Sequence, residues 1–213
     1  MSYCTIRKIG KGEYEEKKSR FLGEAIPVSS EEEAAEQLSR IRKQYFDARH
    51  HCSAYVLGER RDRKKASDDG EPQGTAGLPI LSVIEGAECT GVLIVVTRYF
   101  GGTLLGTGGL VRAYTNAAKA ALAAAGTVCM REGEVLELVM EYSFLDAVRY
   151  YLEREGIPSR DIQYTDKVRQ SIVVPAKSAE GIRCGLRELS GNKIQVNSVE
   201  KGFYGFDIDT AGG

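Results

Sequence analysis

The sequence lacks the features that mark exported and membrane-spanning proteins. Its first twenty residues contain no apolar core that could serve as a signal peptide. No apolar run approaches the roughly 18 residues that a membrane span requires, and the longest strand-like run, residues 92–96, is much shorter. We therefore expect a soluble, cytoplasmic protein with no membrane partner.

Cysteine pairs with the spacing of a metal or disulfide framework are also missing. The five cysteines are odd in number and widely scattered, and none forms a CxxC pair, so neither a zinc site nor a disulfide scaffold is indicated. The adjacent His50, His51 and Cys52 could supply metal ligands. Neighbours on a strand point to opposite faces, however, so ordinary packing is the alternative, and we predict no metal and no cofactor.

The chain as a whole has no large excess of positive or negative charge. The formal net charge is −1, which excludes a uniformly basic surface and requires any polyanion site to be local. Basic residues are concentrated between Arg40 and Lys65, where nine Lys or Arg accompany three acids and several aromatics. This pattern fits either phosphate contact or a solvated charged face. The candidate nucleic-acid-binding residues are Arg49, Arg60, Arg61, Arg63, Lys64 and Lys65, the last five in a predicted charged turn.

Two halves of different charge meet near residues 127–134, which predicts domains at 1–130 and 134–208. The second half reads as βαββαβ. We expect strands at 135–142, 162–165, 168–174 and 194–206, a helix capped by Ser143, and a second helix from Ser178 that ends at Gly191. This order is typical of a ferredoxin-like domain.

The first half begins with two or three strands and then a helix. Ser30 and Glu33 form a capping box before apolar residues at helical spacing. A buried strand is predicted at 91–97, and an alanine-rich helix from about Leu110 to Ala125 is expected to pack closely against a sheet. The fold class is therefore α+β with two domains.

Residues 67–79 form an unusual acidic segment, rich in glycine and proline. Its carboxylates Asp68, Asp69 and Glu71 repel one another and need partners. They could form a metal or ligand loop. Alternatively, they could cap a helix that starts near Thr75 or pair with Arg98 or Arg112.

A second unusual segment is the glycine-rich loop that follows the buried strand and leads into the alanine-rich helix. Unobstructed N–H groups and the helix dipole could bind an anion there, although neither GxxxxGK[ST] nor GxGxxG is present. The structural alternative is that the glycines allow tight turns and close packing. The candidate ligand- or anion-binding residues are Arg98, Gly101, Gly102, Gly106, Gly108, Gly109 and Arg112.

No catalytic constellation is evident. Only two histidines occur, side by side, and no GxSxG motif is present. Catalysis is left open, and we predict no catalytic residues.

The two unusual segments, together with Lys17-Lys18-Ser19-Arg20-Phe21 and Ala48-Arg49-His50-His51-Cys52, resemble the signature of the YigZ/IMPACT family over roughly residues 14–125. The resemblance implies an N-terminal domain like domain IV of elongation factor G, a β-α-β sandwich shared with the second domain of a ribosomal protein. It also implies a C-terminal ferredoxin-like domain like that factor's domain V. Eukaryotic members act on a translation-initiation kinase pathway through an additional domain that we do not expect here.

What the resemblance implies for function is regulation of translation by binding RNA or the ribosome, with translation-related proteins as further partners and no assigned reaction. One alternative is an enzyme or binding protein that holds a phosphometabolite or nucleotide at the glycine-rich loop. The other is a protein-interaction module.

Overall fold

The computed structural model describes residues 2–206, which divide into two compact units. One unit spans Tyr3–Cys129, and the other spans Met130–Phe206 together with Ser2. The described residues form two antiparallel sheets and five α-helices, an α+β architecture. The domain boundaries at 1–130 and 134–208 remain predictions, and residues 1, 207 and 208 lie outside the described part.

The first unit contains three helices and six strands, the first of them without its opening residue Ser2, and a seventh strand begins at Thr127. In chain order they are β1 (Ser2–Ile6), β2 (Gly10–Glu16), β3 (Ser19–Pro27), α1 (Glu31–Gln44), β4 (His50–Leu57), β5 (Arg63–Ser67), α2 (Gly77–Gly86), β6 (Val92–Tyr99) and α3 (Gly106–Ala125). The main sheet has the order β2-β3-β6-β4-β5 and is antiparallel throughout. Its central strand β6 is buried from Val92 to Arg98, as expected for a strand covered on both faces.

The side chains of β6 alternate between two clusters, which shows that the helices lie on opposite faces of this sheet. Val92, Ile94 and Val96 pack in a cluster with residues of α2 and α3. Leu93 and Val95 pack in a separate cluster with residues of α1. Because successive side chains of a strand point in opposite directions, one face carries α2 and α3 and the other carries α1.

The alanine-rich helix α3 packs closely on the sheet, as the sequence predicts. Its small side chains let the backbone approach β2 and β3, and a Cβ added at Gly12 would lie 2.5 Å from the carbonyl carbon of Ala120. The six residues predicted to be buried on this helix are all buried: Leu110, Ala113, Tyr114, Ala117, Ala121 and Leu122.

Helix α1 begins with the predicted cap. The Ser30 hydroxyl accepts a hydrogen bond from the Glu33 N–H at 3.2 Å. The Glu33 carboxylate does not return to Ser30 as in a reciprocal capping box, but accepts bonds from the N–H and hydroxyl of Ser29, both at 2.7 Å. An N-cap of this kind contributes about 1 kcal/mol.

The second unit has the predicted βαββαβ order: β7 (Thr127–Met140), α4 (Leu145–Arg154), β8 (Ser159–Tyr164), β9 (Val168–Pro175), α5 (Ala179–Ser190) and β10 (Gln195–Phe206). Strands run in the order β10-β7-β9-β8, and β1 also pairs with β7. This spatial order of the four strands is that of a ferredoxin-like domain. The apolar faces of α4 and α5 pack on Leu136, Leu138 and Met140 of β7.

Several local expectations were wrong. Strand β7 begins at Thr127, well before residue 135. Helix α3 begins at Gly106, before Leu110, so Gly106, Gly108 and Gly109 belong to the helix and not to the loop. Ser143 does not cap α4, because Tyr142–Phe144 form a 3₁₀ turn and the helix begins only at Leu145. Strand β8 starts earlier than predicted and carries a register shift between Arg160 and Gln163. The basic segment is not all turn, because residues from Arg63 onward form the edge strand β5 paired with β4. By contrast, Gly191 ends α5 in the left-handed conformation, as predicted.

Candidate functional site

The two unusual segments of the sequence come together at one end of the first unit's main sheet. Arg98, near the end of β6, pairs with His50 at the start of β4 and with Phe21 near the start of β3. The turn between β2 and β3, Lys17–Lys18, lies at this same end. The acidic segment reaches it from β5, and the glycine-rich loop reaches it from β6.

Asp68 organises the acidic segment. Its Oδ1 accepts hydrogen bonds from the N–H groups of Ala76 at 3.0 Å and Gly77 at 2.8 Å, and its Oδ2 accepts one from the Gly74 N–H at 2.8 Å. Burial opposes ionisation, but these donors outweigh it and lower the pKa of Asp68 below its ordinary value. Asp68 therefore holds the start of α2, which is the structural alternative raised for this residue.

Asp69 connects the segment to α1 and β4. Its Oδ1 accepts a hydrogen bond from Arg42 Nη2 at 2.7 Å, and its Oδ2 accepts one from the His51 N–H at 2.7 Å. Its main-chain carbonyl accepts from His50 Nδ1 at 2.9 Å. The sequence had suggested Arg98 or Arg112 as partners for these acids, but the partner of Asp69 is Arg42.

Glu71 and Arg98 form a buried ion pair beneath the loop. Arg98 Nη1 and the hydroxyl of Tyr114 both donate to Glu71 Oε1, each at 2.7 Å. The Arg98 guanidinium lies over the rings of Phe21 and Phe100, 5.5 and 5.6 Å from their centroids. Arg98 is only 7% exposed, so it stabilises the loop from inside and does not face solvent as a flanking cation would.

A hydrogen-bonded chain extends this pair into the core. Cys52 lies within hydrogen-bond distance of the Tyr114 hydroxyl and of the Asp68 carbonyl, at 3.3 and 2.9 Å. Burial raises the pKa of Tyr114, and the neighbouring Cys52 and Glu71 raise it further. This phenol therefore stays protonated and acts as a hydrogen-bond donor.

The donors around the three carboxylates argue against a shared cation. Asp68, Asp69 and Glu71 each accept bonds from different protein groups, and their oxygens do not converge. Within residues 2–206, no group of three or more His, Cys, Asp or Glu side chains is arranged to hold a metal ion. The imidazole Nε2 of His51 lies 3.1 Å from the Tyr45 carbonyl, so it is engaged in packing the α1–β4 connection.

The glycine-rich loop is shaped by a close approach and by backbone conformation. A Cβ at Gly101 would lie 2.1 Å from the main chain of Lys18, and the Gly101 N–H donates to the buried Ser19 hydroxyl at 3.1 Å. Gly102 and Gly106 have φ values of +85° and +68°, where other residues are strained. These three glycines therefore have the structural role that the sequence left open.

The start of α3 leaves N–H groups available to an anion. Its N-cap, Leu105, makes no side-chain capping bond, and Gly106, Thr107 and Gly108 are exposed. Unpaired N–H groups at a helix start carry partial positive charge. Gly108 has open space where a Cβ would be, whereas Gly109 is buried against Leu105.

Around these groups the sheet end exposes apolar and cationic side chains. Phe46 is 84% exposed, Phe100 57% and Leu104 82%. Exposed cations accompany them, and within residues 2–206 none of these cations forms an ion pair. We give the name sheet-end surface to the exposed residues of the β2–β3 turn, the α1–β4 connection, and the segment that runs from the end of β6 into α3. They are Lys17, Lys18, Phe46, Arg49, Phe100, Leu104 and Arg112.

Comparison with known proteins identifies the family. Residues 17–122 match the Impact N-terminal domain. The chain is 36% identical over 199 residues to the IMPACT family member YvyE of Bacillus subtilis (strain 168), covering 93% of this chain and 92% of that protein. It is 34% identical over 187 residues to the IMPACT family member YigZ of Escherichia coli (strain K12), covering 87% and 92%. The chain belongs to the IMPACT family.

A solved structure supports the fold over the same extent. A crystal structure of a hypothetical protein superposes with a TM-score of 0.58 at 31% identity, covering 93% of this chain and 98% of the other. The Impact N-terminal match begins at Lys17 and ends within α3. It therefore contains the whole sheet-end surface, and the resemblance noted from the sequence is confirmed.

The predicted basic patch of this IMPACT member is not continuous. Arg63 pairs with Leu57 at the far end of β4 from Arg49, a separation of about 26 Å at about 3.3 Å per residue. Alternation divides the run further, because Lys64 binds Glu85 of α2 at 2.7 Å while Arg63 and Lys65 point to the opposite face. Among the proposed nucleic-acid contacts, only Arg49 lies at the sheet end.

Sequence reasoning missed several residues of the surface. Lys17 and Lys18 carried a detectable signal, because two residues between alternating strands indicate a tight hairpin turn. Phe46 carried none, since an aromatic residue just after an amphipathic helix is usually buried. Leu104 was likewise indistinguishable from a core residue of the loop.

Proposed function

We propose that this IMPACT protein binds a single-stranded segment of RNA at the sheet-end surface. The observation that supports the proposal most directly is the division of charge at this end. The acids Asp68, Asp69 and Glu71 are bound by internal donors, while the cations of the surface face solvent. The charged side chains of the sheet-end surface are therefore all positive, although the whole chain carries −1 and the exposed Asp47 follows Phe46 in the chain.

The exposed aromatics favour single-stranded over duplex nucleic acid. Unstacked bases can stack on aromatic side chains, each worth about 1–3 kcal/mol, without a requirement for sequence. Phe46 and Phe100 lie at the same sheet end as the unpaired cations Lys18 and Arg49. Surfaces that bind single-stranded nucleic acids usually combine aromatic rings with cationic side chains.

The start of α3 offers a position for one backbone phosphate. Its N-cap, Leu105, makes no side-chain capping bond, and the loop that leads into the helix contacts the Lys17–Lys18 turn through the Gly101 main chain. Phosphate contact at a helix start needs no dedicated side chain, so this subsite would fix the strand without reading sequence. Because the family resemblance implies an association with translation, we expect the RNA to be ribosomal or ribosome-associated.

The alternative of a small phosphorylated ligand has less support. Small ligands usually occupy a concave pocket that buries most of their surface. Two cavities of the first unit, of about 460 and 800 Å³, are lined by neither the glycine-rich loop nor Asp68, Asp69 and Glu71.

The deciding experiment measures binding of a fluorescently labelled 12-nucleotide single-stranded RNA by anisotropy across a salt series. The test variant is K17N/K18G. Both lysines have positive φ, 47° and 66°, and Asn-Gly is the sequence such a two-residue turn prefers, so charge is lost without strain. Losing two phosphate contacts should weaken binding and flatten the slope of log affinity against log salt by about 1.4, at about 0.7 per contact.

The matched control is R60Q/K65Q, which removes the same charge from exposed positions elsewhere in this unit. It should leave binding nearly unchanged. If the control weakens binding as much as the test variant does, the sheet-end surface is the wrong site. If wild-type protein does not bind at 50 mM salt, RNA binding itself is wrong.

A further inference from the structure

Three of the five cysteines lie together in the first unit, apart from the sheet-end surface. Cys4 is on β1 and Cys129 is near the start of β7, and their sulfur atoms are 3.0 Å apart. The backbone of Cys4 also forms an isolated parallel β-bridge with that of Cys89. Residues 125 positions apart in the sequence are thus brought into sulfur contact by strand pairing.

The geometry suits a covalent bond between the first two thiols. A disulfide is about 2.05 Å long, so the sulfurs need to approach by only about 1 Å. Neighbouring residues on paired strands have Cα atoms about 4.5–5.5 Å apart, within the range that disulfides span. Cys4 and Cys129 are both half-buried, whereas Cys89 is fully buried, so a reagent can reach the first two far more easily than the third.

We propose that Cys4 and Cys129 form a reversible intramolecular disulfide when the protein meets a hydroperoxide. One thiolate attacks a peroxide oxygen, the O–O bond breaks, and a sulfenic acid forms with release of water or alcohol. The second thiolate attacks that sulfur, forming the S–S bond and releasing water. The two thiols lose two electrons and two protons, the peroxide is reduced, and a dithiol reverses the bond.

The surroundings make this reaction slow at neutral pH and faster in alkali. Burial and, after it, the neighbouring Cys129, Cys89 and Glu88 together raise the pKa of Cys4 to about 11. The attacking species is the thiolate, so the rate should increase as pH rises from 7 to 9. The groups facing Cys4 that act on its charge are Cys129 on β7 and Glu88 and Cys89 before β6.

The bond would close a loop that contains almost all of the first unit. Cross-linking restricts the unfolded chain, more so for longer loops. The oxidised protein should therefore melt several degrees above the reduced protein, and a dithiol should abolish the difference.

The test treats the full chain with hydrogen peroxide at pH 8, blocks remaining thiols with a maleimide, and maps disulfide-linked peptides by mass spectrometry. A peptide joining Cys4 to Cys129, two hydrogens lighter than the reduced pair, is expected. C4S and C129S should each eliminate it and the rise in melting temperature, while C184S, at an exposed cysteine of α5, should retain both. Five free thiols after oxidation, or a linkage of Cys4 to Cys89 instead, would overturn the proposal. The peptide map of the wild-type protein gives this answer, so the test does not depend on whether the cysteine variants fold well.

Discussion

Arg98 and Glu71 meet in the interior beneath the glycine-rich loop, 2.7 Å apart and 27 positions apart in the sequence. Each belongs to one of the two unusual segments, so this ion pair joins the acidic segment to the end of β6. Both side chains are largely removed from solvent. In such surroundings an ion pair is a weak source of net stability but is costly to break on one side.

We predict that E71A lowers the free energy of unfolding by about 3–5 kcal/mol, because it leaves the Arg98 guanidinium buried without its partner. The double variant E71A/R98M should lose less than the sum of its single changes, since the orphaned charge is also removed. Urea denaturation followed by circular dichroism measures both. The control E85A breaks the exposed pair with Lys64 and should cost less than about 1 kcal/mol; equal losses in E71A and E85A would contradict the argument.

A second prediction concerns Asp68 and the start of α2. D68N keeps one acceptor oxygen but loses the charge that three N–H donors favour, so it should cost about 1–2 kcal/mol at pH 7. The folded-state pKa of Asp68 is lowered from its ordinary 3.8. Its contribution is therefore complete above pH 3.8 and is lost as pH falls through the lower folded value.

The measurement is the stability difference between wild type and D68N from pH 7 down to pH 2. The difference should be constant to about pH 4 and shrink below it, as the wild-type carboxyl takes up its proton. The control is D166N, at an exposed carboxylate of the second unit whose pKa is also lowered, mainly by a hydrogen bond from Thr165; because solvent screens this site, its stability difference from wild type should be smaller over the whole range. A difference that stays constant to pH 2 would mean that charge has no part in the cap.

The elements that the sequence predicted well are those fixed by local pattern. The apolar run of β6, the alanine spacing of α3 and the βαββαβ order of the second unit each follow from periodicity within a few turns or strand residues. The end of α5 at Gly191 follows from one residue's tolerance of left-handed backbone.

The rest depended on contacts between distant residues. Nothing local indicates that Asp69 binds Arg42. Pairing of an acid with Arg98 was one of the alternatives that the sequence offered, but no local pattern indicates that Glu71 is the partner or that the pair is buried. The run Arg63-Lys64-Lys65 looked like a turn because its side chains are uniformly charged, which hides the alternation of an edge strand. The sequence thus predicted which segments form the candidate surface, but not which of their side chains face solvent.

Alkaline pH should destabilise the reduced protein through its buried thiols. Burial raises the pKa of Cys52 from 9.0 to about 12 and that of Cys89 to about 11. A raised folded-state pKa means that the folded protein keeps a proton that the unfolded chain has lost. Stability is therefore unaffected below pH 9 and declines as pH rises toward 11–12.

Each such thiol contributes a slope of up to about 1.4 kcal/mol per pH unit in this window. C52S removes one titrating group while keeping a hydrogen-bond donor toward the Asp68 carbonyl, so its stability should fall less steeply between pH 9 and 11. C184S, at an exposed position, is the control. The hydrogen bond to Glu188 also raises the pKa of Cys184, but solvent screens this site, so its curve should lie much nearer to wild type than that of C52S. Urea midpoints at half-unit pH steps, with a reductant present, measure the slopes; parallel curves for wild type and C52S would contradict the assignment.

The final prediction separates stacking from charge at the sheet-end surface. Phe46 is 84% exposed and lies in the α1–β4 connection, where the neighbouring Asp47 accepts a bond from the Tyr99 hydroxyl at 2.8 Å. F46A should therefore leave the stability of the protein nearly unchanged. Because it removes the ring on which one base stacks, it should weaken the binding of single-stranded RNA by about 1–3 kcal/mol, or roughly 5- to 150-fold. Its salt slope should equal that of wild type, because stacking releases no counterions, whereas K17N/K18G should change the slope.

F203A, at a partly exposed phenylalanine of β10 in the other unit, is the control and should bind like wild type. Equal affinities for wild type and F46A would remove the aromatic part of the proposal and leave a purely electrostatic surface.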